Sequence, residues 1–178
     1  MKFHNRFKLW PFNPSVAVDT TVTQIQRPYL SPWEYWNTEY HFYSLKYFYA
    51  VSVRTGEILF LAGPFKGAAA DVTIGRQTIV KRLLKSERCW ADKSFHYDTA
   101  FYTPSQGKKV NMKKGRRLKN AKIYRVRQIV ERSILRVKHF SCVRMRWRYS
   151  WKLHQMCMLA MCKLTNFKLK RHPLDLKK

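Results

Sequence analysis

The segment YSLKYFYAVSV at residues 43–53 most constrains the fold of this 178-residue chain. Aromatic and β-branched residues are typical of strands, and here they occupy both alternating faces of the segment. A strand that is apolar on both faces is expected to lie inside a sheet with other elements packed on each side. The strand-like run ILFLAG at residues 58–63 follows a turn centred on Gly56, so the two runs predict a hairpin.

Further strands and helices are predicted around this hairpin. SVAV at residues 15–18 predicts a short strand that ends at Asp19, after which TTVTQIQRP is expected to continue extended and to stop at Pro28. RCWAD at residues 88–92 predicts a short buried strand that ends in Asp92. Apolar residues at three- and four-residue steps predict three helices, at residues 72–84, 121–140 and 150–167. The last of these is apolar nearly all round and is expected to pack into the core.

The segments between these elements predict connections. Residues 29–40 predict an aromatic loop, residues 63–70 a tight Gly- and Ala-rich connection, and residues 93–120 an irregular segment that becomes strongly basic. Asp71 is expected to be the N-cap of the helix that follows it. The order of elements predicts an α/β fold with a mixed sheet flanked by helices, compatible with an RNase H-like fold.

The chain is long enough for one domain with a core of its own. We place this domain at residues 15–168, between an entry segment at residues 1–14 and a basic tail at residues 169–178. Cys89, Cys142, Cys157 and Cys162 form no CxxC pair, so they predict free thiols in a reducing compartment. A zinc site is disfavoured, because His154 and the last two cysteines lie in an apolar helical run without zinc-finger spacing.

The charge balance favours a polyanionic partner. Lysine and arginine number 36 against 10 acids, a net charge of +26, and the bases are spread along the whole chain. Nucleic acid fits this pattern better than a membrane surface, which favours bases on one face of an amphipathic helix. No run of about 18 apolar residues predicts a membrane span. Solubility alone is the competing explanation, although it does not require so one-sided a charge.

The basic run KKGRRLK at residues 113–119 is typical both of a nuclear localisation signal and of a phosphate-binding loop. Its place before the predicted helix at residues 121–140 favours the phosphate-binding interpretation. We expect a nuclear protein, with the cytoplasm as the alternative.

Among the ten acids, three have positions that suggest metal binding. Asp19 and Asp92 each end a predicted strand, where side chains line the crevice of α/β sheets. Glu131 lies on the helix with the clearest periodicity. Converging carboxylates are costly unless a cation neutralises them. Two Mg²⁺ or Mn²⁺ ions bound by carboxylates could activate a water molecule and stabilise the leaving oxygen of a phosphodiester.

Each of these acids also has an ordinary structural explanation. Asp19 could begin an Asx turn with the threonines that follow it. Glu131 could form a solvated ion pair with Arg127, four residues earlier, or pair with Lys138 through neighbouring residues. For Asp71 the helix-capping role is favoured over a supporting role at the metal site.

Four segments, in the same order, resemble the DDE endonuclease domain of Harbinger-like transposases. The segments read VAVDTTVTQIQRP, FYSLKYFYAVSVRTGEILFLAGPFKGAAADVTIGRQ, ERCWADKSF and VRQIVERSILRVKHF, and the resemblance runs from about residue 10 to residue 167. The resemblance aligns Asp19, Asp92 and Glu131 with the acids of the family and Asp71 with the aspartate of its helix-opening element. It implies an RNase H-like fold, a divalent metal cofactor, and DNA cleavage followed by strand transfer.

The expected function is therefore that of a metal-dependent DNA endonuclease with a two-metal mechanism. DNA phosphate contacts are expected from seven basic residues: Lys93, Lys113, Lys114, Arg116, Arg117, Arg125 and Arg127. The chain departs from the family pattern at Ala70, where the family has His, at Ser94-Phe95 in place of Gly-Tyr, and at Leu135 in place of Gly.

These departures, and the apparent absence of the family's N-terminal helix-turn-helix region, keep a second hypothesis open. It is a catalytically inactive, transposon-derived protein that binds DNA or other proteins. In either case a separate DNA-binding partner protein is an expected partner.

Overall fold

The computed structural model describes residues 14–84, 87–105, 113–172 and 174, so residues 1–13 of the predicted entry segment and half of the predicted basic tail lie outside the described residues. Within these ranges the strands are β1 (Val16–Gln24), β2 (Trp36–Asn37), β3 (Phe42–Ser52), β4 (Ile58–Lys66), β5 (Cys89–Trp90) and β6 (Phe101–Tyr102). The α-helices are α1 (Asp71–Thr78), α2 (Lys114–Lys138), α3 (Ser141–Arg144) and α4 (Trp151–Arg171). Short 3-10 turns occupy Pro32–Tyr35, Val80–Arg82 and Lys93–Phe95.

The described strands form one mixed sheet with β3 near its middle. β3 pairs antiparallel with β1 on one edge and with β4 and the short β2 on the other. β1 pairs parallel with β5, which in turn pairs parallel with β6. The predicted hairpin is confirmed, but β4 continues to Lys66, so the prediction of a tight connection from residue 63 was wrong for the first four residues.

Both faces of β3 are buried, as its composition predicted. Tyr47, Tyr49 and Val51 point into a core formed with α2, α3 and α4, whereas Phe48 and Ala50 point into a second core on the opposite face. That second core contains Ile74 of α1 and Phe95 of the turn after β5. The sheet is therefore covered by helices on both faces, which confirms the predicted fold class and is consistent with an RNase H-like domain.

β1 is longer than predicted. The strand does not end at Asp19 but runs on to Gln24, because each residue from Val16 to Gln24 has a partner in β3. Threonine and valine, which favour strands, fill this second half of β1. The predicted strand end at Asp19 was therefore wrong, whereas the extended continuation predicted after Asp19 is confirmed as far as Gln24.

The basic segment before residue 121 is also more ordered than predicted. α2 begins at Lys114, and β6 and a 3-10 turn lie within residues 93–105, so the prediction of an irregular segment from 93 to 120 was wrong in these parts. Lysine, arginine and leucine are good helix formers, and extending an existing helix avoids the cost of nucleation. The run at residues 113–119 is consequently a helix start and not the predicted loop.

α4 lies on the sheet by one face only. Its buried residues are His154, Met158, Cys162, Thr165 and Leu169. Large apolar side chains on the other side are exposed to solvent, so the prediction that this helix is buried all round was wrong. No helix in the described ranges combines the length and apolar character needed to cross a membrane.

The four cysteines are free thiols, as predicted. Cys89 and Cys162 are buried among core side chains. His154 is fully buried and its Nδ1 lies 2.7 Å from the hydroxyl of Tyr47, with which it shares a hydrogen bond. These contacts give the histidine a role in packing α4 against β3.

Candidate active site

Asp19 lies in the middle of β1, opposite Tyr49 of β3. The parallel pairing of β1 with β5 is limited to Ala17 and Trp90, so Asp19 lies just beyond the carboxyl end of that pair. Side chains at this end of parallel strands line the crevice of an α/β sheet. Asp19 therefore reaches the predicted crevice even though its own strand continues past it.

Asp92 lies two residues after the end of β5, because the strand stops at Trp90 and not at Asp92 as predicted. It caps the 3-10 turn Lys93–Phe95, and its Oδ1 accepts a hydrogen bond of 2.6 Å from the backbone N–H of Lys93. The buried residues of β5 fix the strand that leads into this turn. The backbone N–H of Lys93 thus holds the carboxylate of Asp92 just beyond the end of β5.

Glu131 lies on α2 beside the row of residues that this helix buries against the sheet. Its side chain is 53% exposed, which settles that it lies at the solvent edge of the buried row. Arg127, one turn earlier, places Nη2 3.3 Å from Oε1 of Glu131 and Nη1 3.3 Å from Oδ1 of Asp92. The predicted ion pair with Arg127 is confirmed, and the same guanidinium links Glu131 to Asp92.

Asp71 is held by a network of its own. The N-cap of α1 is Ala70, whose side chain makes no capping bond, so the predicted N-cap role of Asp71 was wrong. Its Oδ1 instead accepts hydrogen bonds from Thr20 Oγ1 at 2.8 Å and from Lys46 Nζ at 2.9 Å. Because Thr20 follows Asp19, this network ties the start of α1 to β1 beside Asp19.

All four carboxylates line a single cavity of about 630 Å³. Its wall is built from β1, the segment around β2, β3, the start of α1, the turn after β5, and α2. The four acids in this wall are Asp19, Asp71, Asp92 and Glu131. The structure therefore brings side chains from distant parts of the sequence to one site.

The electrostatics of the cavity are unfavourable for Asp19. The pKa of Asp19 is raised to about 6, chiefly by burial, and the nearby carboxylates of Asp71 and Asp92 contribute to this rise. The N–H of Thr20 and the charge of Arg127 oppose this rise. A cation close to Asp19 would stabilise the ionised carboxylate and lower its pKa.

The donor set of the cavity consists of carboxylate oxygens, which hard divalent cations prefer. However, the described residues contain no group of three or more Asp, Glu, His or Cys side chains arranged to hold a metal ion. Arg127 accounts for part of this, since its guanidinium already bridges Asp92 and Glu131. The guanidinium provides there the positive charge that a metal ion would otherwise supply.

Two of the seven predicted phosphate-contact residues, Lys93 and Arg127, line the cavity. Arg125 does not line it, because it lies two positions from Arg127 and hence about 160° away around α2. The remaining four lie at the exposed start of α2, outside the cavity wall: Lys113, Lys114, Arg116 and Arg117.

Several side chains of the cavity were not predicted from the sequence as part of the site, among them Tyr40, Lys46 and Lys138. Burial lowers the pKa of Lys138, an effect that the charge of Asp19 opposes. Burial and the charges of Glu39, Asp19 and Asp71 raise the pKa of Tyr40. A lysine within the apolar strand 43–53 was the available signal for Lys46. Lys138 was considered only as a partner of Glu131, and Tyr40 had no signal.

A mixed sheet with acids at the carboxyl end of its parallel strands, in a chain of charge +26, fits the class of α/β domains that act on nucleic acid. The chain belongs to the DDE superfamily endonuclease family, whose family model matches residues 18–166. Membership in this transposase-related family implies DNA as the substrate, and its members generally use divalent metal ions. No curated protein and no solved structure matches the chain.

Proposed function

We propose that this domain cleaves DNA phosphodiester bonds with Mg²⁺ or Mn²⁺ ions held by Asp19, Asp92 and Glu131. The observation that supports the proposal is that these three carboxylates line one cavity, although they come from β1, the end of β5 and α2. Divalent ions in such a site activate a water molecule and stabilise the leaving oxygen in an in-line displacement.

The residues of the cavity fit this cofactor in two respects. Burial, together with the charges of Asp71 and Asp92, raises the pKa of Asp19, and a bound cation would offset this effect. Arg127 bridges the other two acids as a stand-in cation, and its side chain, 31% exposed, lines the cavity in which a DNA phosphate would lie. Asp71 remains a supporting residue, because Thr20 and Lys46 already occupy its Oδ1.

The basic residues divide into two proposed groups. Lys93 and Arg127 would contact phosphates next to the cut bond, because they line the cavity. The bases at the start of α2, together with Arg125, would hold DNA farther from it. Within the family, the order of motifs supports a Harbinger-like origin, for which a separate DNA-binding partner and a nuclear location are part of the proposal.

A plasmid-nicking assay with Mg²⁺ or Mn²⁺ tests the assignment. We expect Asp92→Asn to lower the nicking rate at least about 100-fold, since even partners of metal ligands are worth 10- to 100-fold. Asp98→Asn is the matched control, because Asp98 pairs with Arg76 and does not line the cavity. Equal nicking by the wild-type protein and by Asp92→Asn would refute the assignment.

The second candidate is a catalytically inactive, transposon-derived DNA-binding protein. The bridge from Arg127 to Asp92 and Glu131 favours it, as do Ala70 and Leu135 at positions where the family has His and Gly. It predicts DNA binding that weakens steeply with salt, with no cutting by the wild-type protein in either metal.

A further inference from the structure

The outer face of α4 carries a row of solvent-exposed apolar side chains. We define this outer face by Leu153, Met156, Ala160, Leu164 and Phe167. Their spacings of three and four residues place them along one side of the helix. Met156 is 60% exposed and Phe167 is 54% exposed, and all five are exposed among the described residues.

This exposure is not a by-product of core packing. The opposite side of α4 buries its own row, from His154 to Leu169, against the sheet. A helix that serves only the fold needs one apolar face, with polar residues on the other. Contiguous exposed apolar side chains of this kind mark interaction surfaces.

The charges around the outer face narrow the choice of partner. α4 contains no Asp or Glu, and its bases are Lys152, Lys163, Lys168, Lys170 and Arg171. The guanidinium carbon of Arg171 lies 4.5 Å from the ring centroid of Phe167, so positive charge borders the apolar row directly. A second copy of the chain would bring like charges together, and the basic residues 1–13 would do the same.

We propose that the outer face of α4 docks an amphipathic helix of a partner protein, with an apolar row flanked by acidic residues. The row from Leu153 to Phe167 spans about 21 Å along the helix axis, which corresponds to about four turns of a partner helix. Apolar positions three and four residues apart are those through which two helices pack side by side. The acidic flanks complement the lysines, and the apolar row covers the exposed side chains.

A synthetic helical peptide with leucines on one face and glutamates beside them is the probe. Its binding to the full chain is measured by fluorescence anisotropy and compared with a peptide in which serine replaces every leucine. The protein variant is Leu164→Ser, with Met156→Ser as a second variant. Leu118→Ser is the matched control, because Leu118 is 64% exposed but lies on α2.

We expect Leu164→Ser and Met156→Ser each to weaken binding of the leucine peptide about tenfold, as for a central apolar contact. Binding of the serine peptide should be the same for every protein variant, since these changes leave the charge of the protein unaltered. Leu118→Ser should bind both peptides like the wild-type protein.

Three results would overturn the proposal. One is unchanged binding of the leucine peptide by both α4 variants. Another is a wild-type dimer, seen by sedimentation, that Leu164→Ser dissociates, because the occupant would then be a second copy. The third is binding to vesicles of anionic lipid that Leu164→Ser abolishes, which would assign the face to a membrane surface. None of these measurements depends on the nuclease assignment.

Discussion

Replacing Asp19 by asparagine should stabilise the metal-free protein at neutral and alkaline pH. Asparagine keeps the size of the side chain and removes the charge that burial disfavours. The pKa of Asp19 is about 6 in the folded protein, whereas 3.8 is the ordinary value for an aspartate. At 1.36 kcal/mol for each pH unit between these values, the ionised carboxylate costs the fold roughly 3 kcal/mol.

The sign of the effect depends on pH. Between pH 3.8 and about 6 the folded protein binds more protons at Asp19 than the unfolded chain does, so stability falls as the pH rises through this window. Asp19→Asn lacks this loss. At pH 8 we expect the free energy of unfolding of Asp19→Asn to be about 1–3 kcal/mol higher than that of the wild-type protein. At pH 4 we expect no such difference.

Urea unfolding at pH 4 and pH 8, in EDTA, measures the difference. Asp98→Asn is the control of opposite sign, because its pKa is lowered: the N–H of Ala100 and Arg76 outweigh the effect of burial. That variant should lose stability at pH 8. Added Mg²⁺ should stabilise the wild-type protein more than Asp19→Asn, because the ionised carboxylate of Asp19 binds the cation and the amide lacks that charge. A less stable Asp19→Asn at pH 8, or a difference that is the same at both pH values, would refute the reasoning.

Three other perturbations have expected outcomes. Arg127→Gln should bind Mn²⁺ about tenfold more tightly in calorimetry, because it removes the cation that bridges Asp92 and Glu131; weaker binding would show that Arg127 supports the site instead. Burial lowers the pKa of His154 to about 4, so the folded protein holds this histidine neutral. The unfolded chain binds a proton there below pH 6.5, so the free energy of unfolding falls by roughly 3 kcal/mol as the pH falls from 6.5 to 4. Urea unfolding of His154→Gln should lack that acid-dependent loss. Gly56→Ala should lower the free energy of unfolding by about 1–2 kcal/mol, because Gly56 has φ of 74°, and an unchanged denaturation midpoint would contradict this.

The sequence predicted those features that depend on local patterns. The apolar residues on both faces of the segment at 43–53 required a strand covered on each side, and β3 has this environment. The periodicity of residues 121–140 reported the buried face of α2 correctly. Local patterns failed at element ends, as at Lys114 and Asp19, because pairing with β3 and helix propagation extend an element beyond its strongest signal.

The composition of α4 also did not predict which of its sides is buried. Its apolar residues predicted a helix buried all round, but the sheet covers only one side of it. The hydrophobicity of a side chain indicates that the side chain favours burial. It does not indicate whether residues of the same chain or of a partner bury it.

Which side chains share a site was decided by tertiary structure alone. The sequence singled out Asp19, Asp92 and Glu131, but the pairing of β1 with β5 and the packing of α2 on the sheet bring them to one cavity. The same packing places Arg127 between two of them and sets Lys46 against Asp71. The physical reason is that charges act through distances in space, while periodicity in a sequence specifies only which face of its own strand or helix a residue occupies.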